Sequence, residues 1–222
     1  MSDGPAAIVA GSLGVFGGTF DPVHVAHLAL AQEAAESLGL ERVLFVPAGS
    51  PPHKPRVPVT PGADRLAMVE LAIAGNERFV ASRIELDRAG PSYTVDTLEA
   101  LASGRPSEGV PSMADLTLIL SADAFMGLPS WHEPRRVLEL ARLAVAPRDG
   151  YPEAGPAFME AHFPDLAGRV VYLDGPRIRL SASALRERAA AGRSLRYLVP
   201  DAVAAYIGDH GLYRIPRRND QT

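Results

Sequence analysis

The 222-residue sequence contains no cysteine. That absence excludes thiolate nucleophiles, Cys-ligated zinc, iron–sulfur clusters and disulfide frameworks, and nothing in the chain asks for an oxidising compartment. Lysine is almost missing too: of the 22 basic residues only Lys54 is a lysine, and the rest are arginine. Compositional bias accounts for such a ratio, yet it leaves Lys54 conspicuous. No run approaches the roughly 18 to 20 uninterrupted apolar residues of a membrane span, and the opening MSDGPAAIVAGSLG lacks the basic region of a secretory signal, so a cytoplasmic protein is expected. An excess of positive charge is also lacking. A formal net charge of −4 argues against a nucleic-acid surface but leaves room for a small anion held by a few placed cations. There is no internal repeat. What is present is ordinary: 47% apolar residues, in a length at which a folded chain buries roughly 70% of its unfolded surface without a metal or disulfide staple. The reading is one domain over 1–222, with flexible ends at 1–12 and 216–222 and a helical C-terminal part at 178–213; monomer and oligomer both stay open.

Strand and helix signals alternate along the chain. Leu13 to Phe16 is a short apolar run ended by Gly17-Gly18, after which Val23 to Leu38 carries apolar residues at helical spacing until Gly39. Strands are expected at Val43–Val46, Phe79–Leu86, Leu116–Leu120, Arg142–Ala146 and Val170–Leu173. Helices are expected at Ala63–Ala74, Tyr93–Leu101 with Ser92 as N-cap, Ala182–Ala191 and Asp201–Gly208, with a helical stretch after Asp123 broken by Pro129 and Pro134. Pro47 to Gly62 is a long loop, of the kind that in compact domains is usually functional or disordered. Repeated strand–helix units imply an α/β fold, a parallel sheet covered by helices on both faces, whose ligands lie beyond the carboxyl ends of the strands.

The first strand–helix junction reads Gly17-Gly18-Thr19-Phe20-Asp21-Pro22-Val23-His24-Val25-Ala26-His27. Paired glycines let backbone N–H groups approach an anion, and the helix that follows offers its positive end to the same point. His24 and His27 are three apart, so on a helix they share a face and both can point at that anion. Taken singly these are weak signals, since a Gly-Gly turn is most often only a turn. Neither GxGxxG nor a Walker pattern ending in GK[ST] occurs, which demotes hydride-transfer enzymes and P-loop ATPases. A zinc site on His24 and His27 is the rival reading, but the Glu and four-residue spacing of HExxH are missing, and His53, His132, His162 and His210 form no ligand pattern. Other residues have bland readings as well: Ser181 as an N-cap beside a surface Arg186, Lys54 as a solvated charge, Trp131 as a packing aromatic, Asp123 as a cap, and Tyr93 and Thr94 as capping and packing residues.

Together and in order, these residues resemble a known family. Gly17 to His27 resembles the GGxFxPxHxGH signature of the nucleotidyltransferase superfamily, with Ala26 where Gly is favoured, and Leu180 to Arg186 resembles the ISSTxIR motif, with Ala184 at the Thr position. Ser50-Pro51-Pro52-His53-Lys54, Arg65 to Met68, Ser92 to Thr97, the Ser121-Ala122-Asp123 region with Leu128 and Trp131, and Arg196 to Pro200 resemble the SPPHK, RxxM, SYTxDT, GADxxxxLxxW and RYLVP segments of nicotinate mononucleotide adenylyltransferases. Ser121 stands where that family has Gly. The resemblance spans roughly residues 14–213 and implies a Rossmann-like, doubly wound sheet with a small C-terminal helical region. It further implies transfer of AMP from ATP to nicotinate mononucleotide, with Mg²⁺ carried in on ATP and no metal ligand of the protein's own; nucleic acid and membrane are not expected partners. By this resemblance ATP is bound by Gly17, Gly18, Thr19, Phe20, His24, His27, Asp123, Ser181, Ser183 and Arg186, and His24, His27, Lys54 and Arg186 supply positive charge for catalysis. Tyr93, Thr94, Trp131 and His132 would bind the acceptor: Thr94 and nearby backbone N–H groups, including that of His132, would hold the nicotinate carboxylate, and Trp131 would stack on the pyridine ring. Nicotinamide mononucleotide or phosphopantetheine as acceptor, and a non-catalytic nucleotide sensor, are the alternatives.

Overall fold

A computed structural model describes residues 9–50, 59–105, 115–151 and 155–214. The apolar runs pair into one sheet of six parallel strands: β1 (Val9–Gly18), β2 (Leu40–Pro47), β3 (Phe79–Ala81), β4 (Asp115–Ser121), β5 (Arg142–Ala146) and β6 (Val170–Tyr172), in the order β3-β2-β1-β4-β5-β6. The chain starts in the middle, winds outward one way and returns to wind the other, so the order reverses between β1 and β4. Alternation along the strands feeds two cores. Phe16, Val43, Phe45 and Ile119 pack with α1 (Val25–Ser37), α2 (Gly62–Ile73) and α8 (Asp201–Asp209), whereas Val15, Leu44, Leu118 and Leu120 pack with α3 (Thr94–Ala102) and α5 (Pro134–Leu140). Gly14 sits where that packing is tightest: a Cβ there would lie 2.8 Å from Leu40 Cδ1 and 3.0 Å from Ile119 Cδ1. Short α4 (Ala122–Met126), α6 (Pro156–His162) and α7 (Ala182–Ala190) complete the α-helices among the described residues, beside two 3-10 turns at Leu128–Ser130 and Pro164–Arg169.

The doubly wound α/β reading holds, and its departures have local causes. Residues 9–12, expected within a flexible end, are the first part of β1, with Val9 opposite Leu40 and Ser12 opposite Asp115. The strand expected over Phe79–Leu86 stops at Ala81. There the Ser82 hydroxyl accepts the Ile84 N–H at 3.2 Å and Asp87 N–H donates to the Arg83 carbonyl at 2.9 Å, turning the chain out of the sheet. Ser92 does not cap α3. Tyr93 is the N-cap, and the Ser92 hydroxyl instead accepts the Ser50 N–H at 3.1 Å. The Pro/Gly-interrupted stretch before β6 contains α6, which opens on Pro156 at its first turn. Residues 51–58, with His53 and Lys54, and 216–222 lie outside the described residues.

Candidate active site

The carboxyl ends of β1, β4 and β5 and the start of α7 enclose a half-open cleft of about 440 Å³, at the point where the strand order reverses. Every residue expected to touch ATP lines it: Gly17, Gly18, Thr19, Phe20, His24, His27, Asp123, Ser181, Ser183 and Arg186. The acceptor residues gather elsewhere. Tyr93 and His132 face each other with ring centroids 4.3 Å apart, which brings the start of α3 beside the Trp131-His132 turn, and none of Tyr93, Thr94, Trp131 and His132 lines the cleft itself. Lys54 falls outside the described residues.

The two histidines are held by local geometry. His24 is the N-cap of α1, with extended backbone, and its N–H donates to His27 Nδ1 at 3.2 Å. Because that nitrogen accepts, a neutral His27 carries its proton on Nε2. The rings stack at 3.6 Å, and Phe16 and Phe20 meet the His27 ring edge-on at 6.0 and 5.1 Å. Burial, reinforced by the Arg148 charge, holds the His24 imidazole down to about 4, and its Nδ1 is buried without a hydrogen-bond partner. Burial, with His24 and Arg148, also keeps His27 well below the usual range. At pH 7 both rings are therefore neutral N–H donors, and the expectation that they bring standing positive charge is corrected by their apolar surroundings.

Among the described residues, full positive charge in the cleft comes from two arginines. The Arg186 guanidinium donates through Nη1 to the Asp21 carbonyl at 2.7 Å and through Nη2 to Ser183 Oγ at 3.2 Å. Arg148, which sequence reading missed, donates to Asp123 Oδ2 at 2.8 Å, and Ser121 Oγ donates to Asp123 Oδ1 at 2.6 Å. Its signal was its position, two residues beyond the end of β5 on the ligand side of the sheet. In the same cleft Ser181 caps α7 by accepting the Ala184 N–H at 3.2 Å, which leaves its O–H free to donate, and Ala182 and Ser183 of the first turn line the cleft beside it. The arrangement suits a polyanion: neutral N–H donors, a helix start and two guanidiniums line the same cleft.

No group of three or more acidic or imidazole side chains that could hold a metal ion occurs among the described residues. Both carboxylates lining the cleft are occupied, Asp123 as above and Asp21 by the Tyr213 hydroxyl at 2.7 Å and the Thr60 N–H at 3.2 Å. No helix of the described residues is long and apolar enough to cross a membrane.

Comparison with known proteins agrees with this layout. A cytidylyltransferase-like family profile matches residues 15–188. A protein of Thermomicrobium roseum named "Probable nicotinate-nucleotide adenylyltransferase" is 47% identical over 202 residues, 91% of this chain and 91% of that one. One of the same name from Thermus thermophilus is 46% identical over 202 residues, 91% of this chain and 99% of its own. Among solved structures, Plasmodium falciparum nicotinic acid mononucleotide adenylyltransferase complexed with NaAD superposes with a TM-score of 0.73 over 91% of this chain and 97% of that one; at 15% identity this speaks to the fold.

Proposed function

This chain belongs to the cytidylyltransferase-like family and, within it, to the nicotinate-nucleotide adenylyltransferases, and on that premise we propose that it transfers AMP from ATP to nicotinate mononucleotide, forming deamido-NAD and pyrophosphate. The observation that carries the reading in this chain is the stacked His24–His27 pair lining one cleft with Arg186 and the start of α7. A 5′-phosphate oxygen of the mononucleotide attacks the α-phosphorus in line; the new P–O bond forms as the bond from that phosphorus to the bridging oxygen breaks, and pyrophosphate leaves. The attacking group is already an anion, so no general base is needed, in keeping with two imidazoles held by burial as donors. His27 Nε2–H and the Arg186 fork are assigned to the phosphates, where preorganised donors act on charge as it develops. A Mg²⁺ ion carried on the triphosphate would supply further neutralisation of the phosphate charge that His27 and Arg186 hold. The α7 start and Arg148 are assigned to the nucleotide site together with Asp123, and Lys54 is assigned to the phosphates.

Tyr93, Thr94, Trp131 and His132 are assigned to the acceptor. The Tyr93–His132 ring contact next to the start of α3 offers a flat aromatic surface and helix amides to a pyridine carboxylate. Pyrophosphate release from Mg-ATP with nicotinate mononucleotide, nicotinamide mononucleotide or phosphopantetheine tests the assignment. Strong preference for the acid mononucleotide is expected. Turnover only with another acceptor would overturn the acceptor residues, and no turnover with any would leave a nucleotide sensor.

A further inference from the structure

The loop between β1 and α1 is held in place from the far end of the chain. Asp21 is 2% exposed, and its carboxylate accepts from two directions: the Tyr213 hydroxyl at 2.7 Å on Oδ1 and the Thr60 N–H at 3.2 Å on Oδ2. Its backbone carbonyl, in turn, accepts Arg186 Nη1 at 2.7 Å. Asp21 thus joins three elements far apart in sequence while lying three residues before His24. Tyr213 reaches it with φ at 64°, the left-handed region in which a bulky side chain is strained, and its hydroxyl also lies 3.9 Å from Met68 Sδ. A second C-terminal contact meets the same loop: the Val25 N–H, at the first residue of α1, donates to the Leu198 carbonyl at 3.1 Å. Beneath, Arg65 is 2% exposed and donates to the carbonyls of Thr19, Ala48 and Thr60 at 2.8, 2.7 and 2.9 Å.

Each Asp21 oxygen already accepts a hydrogen bond in a buried site, and the phenol, raised by burial and by the adjacent carboxylate, stays a proton donor. The pair can influence a ligand only through what it holds: the Asp21 carbonyl that anchors Arg186, and the turn that delivers His24 and His27. We propose that the Tyr213 hydroxyl and the Asp21 carboxylate form a clasp by which the C-terminal segment positions Arg186 and the histidine turn for the triphosphate, both acting as positioning residues. The proposal rests on the nucleotidyl-transfer reading of this cleft.

Y213F removes the hydroxyl and keeps the ring, and D21N keeps an acceptor for Tyr213 while losing one for Thr60. Because misplacement of about 1 Å can lower a rate 10²-fold, Y213F is expected to lower kcat about tenfold at 25 °C, with the protein folded by circular dichroism and the KM for nicotinate mononucleotide within about twofold. Affinity for the α,β-methylene analogue of ATP, measured by calorimetry, is expected to fall about fivefold. The double variant should lose no more than D21N does, since Tyr213 acts through Asp21 and D21N also gives up the Thr60 contact. A lowered melting temperature with kcat and analogue affinity within twofold of the parent would show a purely structural contact and overturn the proposal, as would an equal rise in both substrate KM values. If the parent protein turned over none of the acceptors, the functional reading would fail separately. The clasp would then be decided by analogue affinity alone, upheld by the fivefold loss and refuted by none.

Discussion

Lowering the pH should destabilise this protein through its two active-site histidines, and the effect can be sized for His24. In the unfolded chain an imidazole takes its proton near 6.5; in the folded protein burial and Arg148 delay that to about 4. Between those values the unfolded state binds more protons than the folded state, so stability is lost as the pH falls through the window. At pH 5 the difference for His24 is about 2 kcal/mol relative to pH 8, and His27, shifted the same way, adds to it. For a chain of this length that corresponds to roughly 4 to 8 °C in melting temperature. Differential scanning calorimetry at pH 8 and pH 5, on the parent and on His24→Asn, isolates the term because carboxylate contributions are common to both. The drop in Tm between the two pH values should be smaller in the variant by that amount. Equal drops would mean that His24 titrates normally in the fold, and the account of the histidines as buried neutral donors would be wrong.

Three substitutions separate the remaining roles. His27→Ala should lower kcat by about 10²-fold to 10³-fold with little change in either KM, as loss of a donor to developing charge does, and steady-state pyrophosphate release reads it. Trp131→Ala should raise the KM for the mononucleotide about tenfold and leave that for ATP alone, in line with the loss of a stacking surface; equal effects on both substrates would remove Trp131 from the acceptor site. Arg65→Met leaves the carbonyls of Thr19, Ala48 and Thr60 without their donor, a loss of about 3 kcal/mol or more, and Arg65→Lys should recover only part because one ammonium cannot span three carbonyls. Thermal melts rank the three proteins, and an Arg65→Met variant within 2 °C of the parent would contradict the bracing role.

The local patterns were the legible ones. Apolar runs at Val43–Val46 and Leu116–Leu120 are strands because both faces of the sheet are covered, and the spacing of His24 and His27 does place both rings in the cleft. What escaped depends on contacts across the chain. Phe79–Leu86 looked like one strand because nothing in a run of alternating residues announces that the Ser82 hydroxyl will take the Ile84 N–H. Ser92 resembled a helix cap, but Ser50, 42 residues away, claims its hydroxyl. The protonation of the histidines follows from Phe16, Phe20 and Arg148 closing around them, and Asp21 gains its partner 192 residues later.

The central claim is that the cleft positions two phosphates and leaves the attack to the substrate itself. Stereochemistry at the α-phosphorus tests it: the reaction is run with one diastereomer of ATP carrying sulfur on that phosphorus, and the configuration of the thiophosphate in the dinucleotide product is determined. A single in-line displacement predicts inversion. Retention would mean two successive displacements through a protein-bound nucleotidyl group, and would turn one of the histidines from a donor into a nucleophile.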